Sequence, residues 1–265
     1  MDKRAIGVFD SGLGGLTVVK AIRQELPHES VIYIGDTARV PYGTRSAETV
    51  KQFALEVAQR LIKEKVKVVV VACNTVSALA LPAIRKLVPV PVLGVIEPTV
   101  ERALKTTRTK QIGVIGTAAT MGSGVYQKVI QHLDPGVKVT AKAAPLLVSI
   151  VEEGLWQHPV AKLMVEEYLQ FVKENDQIDT LILGCTHYPV LMPVIEDYLG
   201  ERVEIIDSAE PTAEALKKLL NEEGLMADGA KPVQLLFTSD NPNKSGKLAE
   251  ALLGERVELK QISLD

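Results

Sequence analysis

The sequence predicts an α/β fold of two similar lobes with mostly parallel sheets, related by an internal pseudo-repeat, and a candidate active site in the cleft between them. Short runs rich in valine and isoleucine alternate with longer amphipathic stretches along the chain. The short runs are continuously apolar, which is typical of parallel strands that are covered on both faces. Landmarks of the first half recur in the second half, which indicates duplication of one unit.

The predicted strands end where glycine or polar residues begin. They lie at residues 5–9, 31–34, 68–72, 92–95, 112–115, 137–141, 180–183, 203–206 and 233–237. Helices are predicted where apolar residues recur every three or four positions between the strands. They cover residues 16–25, 46–64, 77–87, 98–105, 122–132, 159–174, 190–199 and 211–222. This regular alternation of strands and helices favours a parallel sheet.

An internal repeat divides these elements into two lobes. The matching landmarks are Ile6-Gly7-Val8 with Ile112-Gly113-Val114, Cys73 with Cys185, and Glu97-Pro98 with Glu210-Pro211. The predicted lobes are residues 1–97 plus 208–265 (lobe one), which carry Asp10 and Cys73, and residues 98–207 (lobe two), which carry Cys185 and His187. The segment 208–265 has no counterpart in the repeat, so we expect it to return to lobe one.

The composition is that of a globular protein without a strongly charged surface. The 265 residues are 46% apolar, enough for a buried core, and the formal net charge is −3. A basic stripe or lysine-rich tail is absent, so we expect no nucleic-acid partner. The sequence has neither a long apolar leader nor an apolar run near the roughly 18 residues of a membrane span. We therefore expect a cytoplasmic protein with no membrane partner.

The two cysteines occur in matched surroundings. Each ends an apolar run and begins a polar cluster, in Val71-Ala72-Cys73-Asn74-Thr75 and in Leu183-Gly184-Cys185-Thr186-His187. A free cysteine taken singly is usually an inert, buried apolar side chain. A reactive thiolate needs hydrogen-bond donors and an electropositive setting that lower its pKa. The repeated polar context favours two reactive thiols over a disulfide or two inert core residues.

Neither a metal ion nor an organic cofactor is predicted. Cys73 and Cys185 lie far apart in the sequence with one nearby histidine, which is not the paired spacing of a structural zinc site. The loop Gly12-Leu13-Gly14-Gly15 follows a predicted strand, as a dinucleotide-binding loop would. The third glycine of that motif would fall at Thr17, so a nicotinamide cofactor is disfavoured and a tight turn before a helix is the simpler interpretation.

The positions of the two cysteines suggest proton transfer. Ligands of open α/β sheets bind outside the carboxyl ends of the strands, so facing lobes would place Cys73 and Cys185 on opposite walls of one cleft. Two such groups could remove a proton from one face of a carbon and return one to the other, as a racemase does. Asp10 ends the first strand and His187 lies two residues beyond Cys185, on the same side of an extended chain. They are the candidates for tuning Cys73 and Cys185, respectively.

Four short segments carry a family resemblance. They are Asp10-Ser11-Gly12-Leu13-Gly14-Gly15, Pro41-Tyr42-Gly43, Ala72-Cys73-Asn74-Thr75 and Gly184-Cys185-Thr186-His187-Tyr188-Pro189. Together they resemble the signature segments of the glutamate racemases, in the cofactor-independent aspartate/glutamate racemase superfamily, over about residues 5–211. The resemblance implies interconversion of L- and D-glutamate, a supply of D-glutamate for peptidoglycan, and a homodimer. It also implies that Cys73 takes the proton from D-glutamate and Cys185 from L-glutamate.

The resemblance further implies roles for individual residues. Asp10 and Ser11 would contact the substrate ammonium and assist Cys73, and Tyr42 and Gly43 would close on the substrate. The two substrate carboxylates would be held by Asn74, Thr75, Thr117, Thr120 and Thr186. Glu152 is expected beside His187, with Glu153 as the alternative. From the residues alone, Thr117 and Thr120 could instead cap a helix, and His187 could be a structural histidine.

Three other functions stay open at this point. An aspartate racemase would use the same thiols on a substrate shorter by one methylene, a difference worth only about 1–3 kcal/mol of discrimination. A non-enzymatic two-lobed amino-acid-binding protein would explain the cleft and the repeat, but not the thiols. A cysteine hydrolase could use Cys185 with His187, but Cys73 and its matching context would then have no role.

Overall fold

Two parallel β-sheets form the framework of the structure, a computed structural model that describes residues 2–227 and 231–264. The strands of the described residues are β1 (Ile6–Asp10), β2 (Val31–Gly35), β3 (Val68–Val71), β4 (Val92–Gly94), β5 (Gln111–Gly116), β6 (Lys138–Ala143), β7 (Thr180–Gly184), β8 (Glu204–Ile206), β9 (Gln234–Thr238) and β10 (Leu259–Gln261). The first sheet has the order β10-β9-β2-β1-β3-β4, and the second has the order β6-β5-β7-β8. Every strand pairing in these two sheets is parallel. The predicted α/β class with parallel sheets is confirmed.

The internal repeat is visible in the strand order. The order β2-β1-β3-β4 in the first sheet corresponds to β6-β5-β7-β8 in the second. The strand that precedes Cys73, β3, pairs with β1, and the strand that precedes Cys185, β7, pairs with β5. All residues of β1, β3 and β7 are buried, as continuous apolar runs in parallel sheets require. The two cysteines therefore occupy equivalent positions in the two sheets.

Amphipathic helices cover the two sheets. In the described residues they are α1 (Leu16–Glu25), α2 (Ala47–Lys63), α3 (Asn74–Leu79), α4 (Leu81–Leu87), α5 (Ile96–Thr106), α6 (Ala118–Ser123), α7 (Val125–Leu133), α8 (Leu146–Glu152), α9 (Pro159–Lys173), α10 (Met192–Leu199), α11 (Ala209–Glu222) and α12 (Pro242–Leu253). For example, α2 buries residues at three- and four-residue spacing and begins after Ser46, whose hydroxyl accepts a hydrogen bond from the Thr49 N–H. Across residues 2–227 and 231–264, no helix is both long and apolar enough to span a membrane.

The chain passes between the two sheets twice. After β4 of the first sheet, α5 packs against β7 and β8 of the second; after β8, α11 packs against α1. Arg102 of α5 donates from Nη2 to both carboxylate oxygens of Glu214 of α11, each at 2.6 Å, which joins the two crossing helices. β9 then pairs with β2, and β10 pairs with β9. The division of the chain at residues 97–98 and 207–208 stays a prediction.

The helix and strand boundaries differ from the sequence prediction in three ways. Residues 77–87 belong to two helices rather than one, because α3 ends before Ala80 and Pro82 lies in the first turn of α4. α6, α8 and α12 are absent from the prediction; α6 and α8 have only six and seven residues, too few for their period to identify them. β10 is a three-residue edge strand without the apolar run of the other strands.

Candidate active site

The two thiols lie just beyond equivalent strand ends. Cys73 follows β3 and occupies the position before the first residue of α3, and Cys185 follows β7 by one residue. Both are free cysteines, and both are buried. The carboxyl ends of β3 and β7 face the cleft. The polar cluster that follows each apolar run therefore places both thiols at the cleft.

A small cavity of about 20 Å³ contains both cysteines on its wall. Its lining residues are Ser11, Val40, Pro41, Tyr42, Gly43, Cys73, Asn74, Thr75, Thr117, Val148, Cys185, Thr186 and His187. Most of the residues predicted from the sequence are therefore brought together. Asp10, Thr120 and Glu152 do not line the cavity but contact residues that do. Val40 and Val148 line it without having been predicted, and Pro41 belongs to a segment that carries the family resemblance but had no assigned role.

Cys73 lies beside a hydroxyl and near a buried carboxylate. Its Sγ is 3.2 Å from Ser11 Oγ. Burial and, next, the Asp10 carboxylate raise the pKa of Cys73 to about 12. Asp10 accepts hydrogen bonds from the Gly12 N–H at 3.0 Å and from Thr186 Oγ1 at 3.3 Å, so it joins the two sides of the cleft. This raised pKa favours the protonated thiol form of Cys73 at neutral pH.

Cys185 lies beside a histidine that is paired with a carboxylate. Its Sγ is 3.8 Å from His187 Nδ1, and His187 Nε2 is 2.5 Å from Glu152 Oε1. Burial lowers the pKa of His187, but the hydrogen bonds to Cys185 and Glu152 outweigh it and hold that pKa well above its usual value. The last residue of α8 is Glu152, and Glu153 follows as the exposed C-cap. Of the two candidate acids, Glu152 is the one in contact with His187.

Three threonine hydroxyls form a buried cluster at one end of the cavity. The Oγ1 atom of Thr75 lies 3.0 Å from that of Thr117 and 3.1 Å from that of Thr120, and the latter two are 2.8 Å apart. Thr117 also caps α6, because its Oγ1 accepts a hydrogen bond from the Thr120 N–H at 3.2 Å. The cluster therefore has a structural function in addition to any contact with a ligand. Thr120 is fully buried behind the other two.

The Asn74 side chain presents an unpartnered donor. Its Oδ1 accepts hydrogen bonds from the Tyr126 hydroxyl at 2.6 Å and from Ser208 Oγ at 3.3 Å. Its Nδ2 is buried and has no hydrogen-bond partner within the described ranges of the chain. Tyr126 and Ser208 were not identified from the sequence, because they are far from Asn74 in the chain and no local pattern marks the contact.

The loop that carries Tyr42 and Gly43 closes one side of the cavity. The Tyr42 hydroxyl donates to the buried Asp36 carboxylate, which also accepts from Arg39 Nε at 2.6 Å and from Ser239 Oγ at 2.7 Å. The tyrosine hydroxyl is thus bound within the protein. Gly43 approaches Thr117 so closely that a Cβ atom at Gly43 would overlap the threonine side chain.

The glycine-rich loop after β1 also makes a close approach across the cleft. A Cβ atom at Gly14 would overlap the Thr186 hydroxyl and lie 2.8 Å from His187 Nδ1. The absence of a side chain at Gly14 lets the backbone of lobe one reach the polar cluster that follows β7. In the described ranges, 2–227 and 231–264, no group of three or more His, Cys, Asp or Glu side chains is arranged to hold a metal ion.

The surroundings of the two thiols differ in charge. The Asp10 carboxylate is near Cys73, whereas the cationic form of His187 is next to Cys185. A carboxylate disfavours a neighbouring thiolate, and an imidazolium favours one. The two thiols of the cavity therefore have opposite charges beside them.

Sequence and structure comparisons identify the same group of proteins. The family described as Asp/Glu/Hydantoin racemase matches residues 6–216. A glutamate racemase from Geobacter metallireducens is 45% identical over 267 aligned residues, which cover 100% of this chain and 98% of the relative. Glutamate racemase isoform RacE1 from Bacillus anthracis has a TM-score of 0.95 at 42% identity, covering 100% of this chain and 99% of that one. The Francisella tularensis glutamate racemase, solved in complex with D-glutamate, has a TM-score of 0.93 at 37% identity with the same coverage.

Likeness to aspartate racemases is weaker. An aspartate racemase homologue from Pyrococcus horikoshii is 20% identical, with a TM-score of 0.56 over 82% of this chain, which is a likeness of fold alone. The glutamate racemases, in contrast, align along nearly their whole length with this chain. From the family match over residues 6–216 and these full-length relatives, the chain belongs to the Asp/Glu/Hydantoin racemase family.

Proposed function

We propose that this protein interconverts L- and D-glutamate with two thiols as the only acid and base that act on the substrate Cα. The observation that carries the proposal is the placement of Cys73 and Cys185 on one small cavity between the lobes. The full-length similarity to glutamate racemases supports glutamate as the substrate. A binding protein would not need the paired thiols, and a cysteine hydrolase would leave Cys73 without a role.

In this mechanism the two thiols exchange roles between the two directions. With L-glutamate, the Cys185 thiolate takes the Cα proton and the Cys73 thiol delivers its own proton to the opposite face. With D-glutamate, the Cys73 thiolate takes the proton and Cys185 delivers one. Each turnover leaves the protonation states reversed, so the thiols must exchange a proton before the next turnover in the same direction. The cation at His187 stabilises the Cys185 thiolate, and the Ser11 hydroxyl stabilises the Cys73 thiolate.

Substrate recognition follows from the charges around the cavity. The Asp10 carboxylate would attract the ammonium group of the amino acid, together with the Ser11 hydroxyl. The carboxylates would accept hydrogen bonds from Asn74 and from the hydroxyls of Thr75, Thr117 and Thr186, with Thr120 held behind them. The backbone around Tyr42 and Gly43 would cover the bound substrate. No step in this scheme requires a metal ion or an organic cofactor.

The biological assignment extends the same proposal. Supply of D-glutamate for peptidoglycan is the role of the glutamate racemase family, and we infer the same role here. A cytoplasmic location and a homodimeric state are inferred with it, because the reaction uses a free amino acid and the family resemblance implies a dimer.

The deciding experiment is the circular dichroism of L-glutamate incubated with the purified protein in D₂O without added cofactor or metal. We expect the signal to decay to zero with deuterium at Cα, and we expect Cys73→Ser and Cys185→Ser to abolish the decay. Decay with L-aspartate but not with L-glutamate would reassign the substrate. No decay with either amino acid, or racemisation by either cysteine variant at the wild-type rate, would overturn the two-thiol mechanism.

A further inference from the structure

The Asn74 amide is held by three separate parts of the chain. Asn74 begins α3 in the first lobe, Tyr126 lies on α7 beside the second sheet, and Ser208 precedes α11, where the chain returns to the first sheet. The two hydroxyls meet at one atom, Asn74 Oδ1, at 2.6 Å and 3.3 Å. All three residues are buried. The amide is therefore fixed only when these three elements come together.

Two hydroxyl donors determine which way the amide faces. Each hydroxyl places a proton toward Oδ1, and the amide carbonyl is the natural acceptor for both. The NH₂ group is then directed away from Tyr126 and Ser208. Asn74 lines the cavity that holds both cysteines, and its buried Nδ2 has no hydrogen-bond partner among the residues that the structure describes. A buried donor without an acceptor is unfavourable unless a bound molecule supplies one.

We propose that Tyr126 and Ser208 are positioning residues that direct the Asn74 Nδ2 donor toward a carboxylate of the bound amino acid. The inference rests on the proposed function and adds two residues that act through Asn74 without touching the substrate. If the amide were reversed, Oδ1 would face the anionic substrate and repel it. Because the two hydroxyls come from α7 and from the segment before α11, closure of the cleft and orientation of this donor are linked.

The test is the effect of removing each hydroxyl on KM and kcat for glutamate. Tyr126→Phe and Ser208→Ala should each raise KM about fivefold, since each removes one ordinary hydrogen bond that fixes the donor. The value of kcat should change less than twofold, because the proposed donor holds the carboxylate equally in the ground and transition states. Ser208→Thr restores the hydroxyl and should return KM to within about twofold of the wild-type value.

A double-mutant cycle separates positioning from general damage. In an Asn74→Ala background, Tyr126→Phe should have no further effect on KM, because the group it positions is gone. Tyr188→Phe is the matched control: its buried hydroxyl donates to the Ala144 carbonyl at 2.9 Å instead of to Asn74. It should leave KM within about twofold of wild type. Thermal unfolding of each variant verifies that the protein is folded.

Different results would contradict the proposed function and the positioning role of Tyr126 and Ser208. A wild-type protein that does not racemise glutamate contradicts the function. A racemising wild type with unchanged KM in the Tyr126→Phe, Ser208→Ala double variant overturns the positioning role. An equal further rise of KM from Tyr126→Phe in the Asn74→Ala background overturns it as well. As a measurement without turnover, calorimetric titration of D-glutamate into Cys73→Ser should show the same weakening when Tyr126→Phe is added.

Discussion

His187 Nε2 and Glu152 Oε1 lie 2.5 Å apart, and this contact favours the positively charged form of His187 beside Cys185. The opposite ring nitrogen, Nδ1, faces Cys185 Sγ at 3.8 Å. With an acceptor at each nitrogen, the doubly protonated imidazolium is the form that satisfies both sides. The raised pKa of His187, for which these two hydrogen bonds outweigh the opposing effect of burial, agrees with this geometry. An imidazolium at this position provides a hydrogen-bond donor and a positive charge beside Cys185 Sγ.

We predict that Glu152→Gln lowers kcat/KM for glutamate by at least about tenfold, which is less than the roughly 10²–10⁴-fold contribution of a general acid or base because His187 itself remains. Loss of the carboxylate lowers the pKa of His187, so its positive charge is lost at a lower pH than in the wild type. The deficit should therefore be largest at the alkaline end of the pH profile. Both directions must lose kcat/KM equally, because L- and D-glutamate have the same free energy. Measuring kcat/KM against pH for both enantiomers tests this.

Glu153→Gln is the matched control for that variant. Glu153 is the next residue, is exposed and is the C-cap of α8. Its neutralisation should leave both kcat/KM and the pH profile close to those of the wild type. A Glu152→Gln profile that keeps the wild-type alkaline limb would contradict the role assigned to the imidazolium.

A second prediction concerns the protonation of Cys73. Burial and, next, the Asp10 carboxylate raise the pKa of this thiol to about 12, whereas the hydrogen bond with Ser11 lowers it. Asp10→Asn should therefore shift alkylation of Cys73 by iodoacetamide to lower pH, and Ser11→Ala should shift it to higher pH. Mass spectrometry of the Cys73 peptide across pH 7 to about 11 measures both shifts. Shifts in the same direction in the two variants would refute this electrostatic account.

The sequence prediction succeeded where the relevant signal is local. An apolar run followed by a polar residue marks the end of a buried strand, and this pattern located Cys73 and Cys185 at matching sheet edges. The repeat of landmarks correctly indicated the duplicated strand order. The family resemblance pointed to Glu152 as the neighbour of His187, although α8, the helix that carries it, was not predicted.

The features that the sequence did not reveal depend on distant packing. The hydrogen bond between Tyr126 and Asn74 joins residues 52 positions apart, and that between Ser208 and Asn74 joins residues 134 apart. Nothing in the local composition distinguishes these two hydroxyls from other buried ones. The anchoring of Tyr42 on Asp36 is similar, since it is completed by Ser239 from the far end of the chain.

A third prediction concerns the free energy of unfolding. It depends on the Asp179 carboxylate, which binds the loop before β5. Asp179 accepts hydrogen bonds from Thr107 Oγ1 at 2.7 Å and from the backbone N–H groups of Arg108 and Thr109 at 2.7 and 2.9 Å. Burial raises its pKa, but these bonds outweigh it and lower the pKa to about 2. Asp179→Asn should reduce the free energy of unfolding by about 2 kcal/mol at neutral pH, as expected for bonds to a charged acceptor.

The contribution of Asp179 to the free energy of unfolding should depend on pH. Because the folded-state pKa is depressed, the contribution of Asp179 is present above its unfolded pKa near 3.8 and is lost as the pH falls through about 2. The difference between wild type and Asp179→Asn should therefore shrink between pH 4 and 2, as followed by urea unfolding. Asp176→Asn, at an exposed carboxylate 3.8 Å from Arg202 Nε, should change stability by less than about 0.5 kcal/mol. A constant difference down to pH 2 would rule out the carboxylate charge as the cause.

The last prediction tests whether activity requires the close approach of Gly43 to the second lobe. An alanine Cβ at this position would overlap Cβ and Cγ2 of Thr117, whereas the Cβ of Gly122→Ala on α6 would have no atom of the described residues within 4 Å. Gly43 precedes the first-lobe strand β3 and Thr117 follows the second-lobe strand β5, so slight opening of the cleft can relieve the overlap without unfolding either sheet. Opening the cleft would admit water and move the hydroxyls of Thr75 and Thr117 apart.

We therefore expect Gly43→Ala to lower kcat/KM for glutamate by more than tenfold, because a displacement of about 1 Å can cost a hundredfold in rate. Its melting temperature should stay within a few degrees of that of Gly122→Ala, which should racemise at the wild-type rate. If Gly43→Ala instead retained full activity, the cleft would not need to be closed at this point. If it lost several kcal/mol of stability along with activity, the overlap would be damaging the Tyr42 loop itself and not the approach of the two lobes.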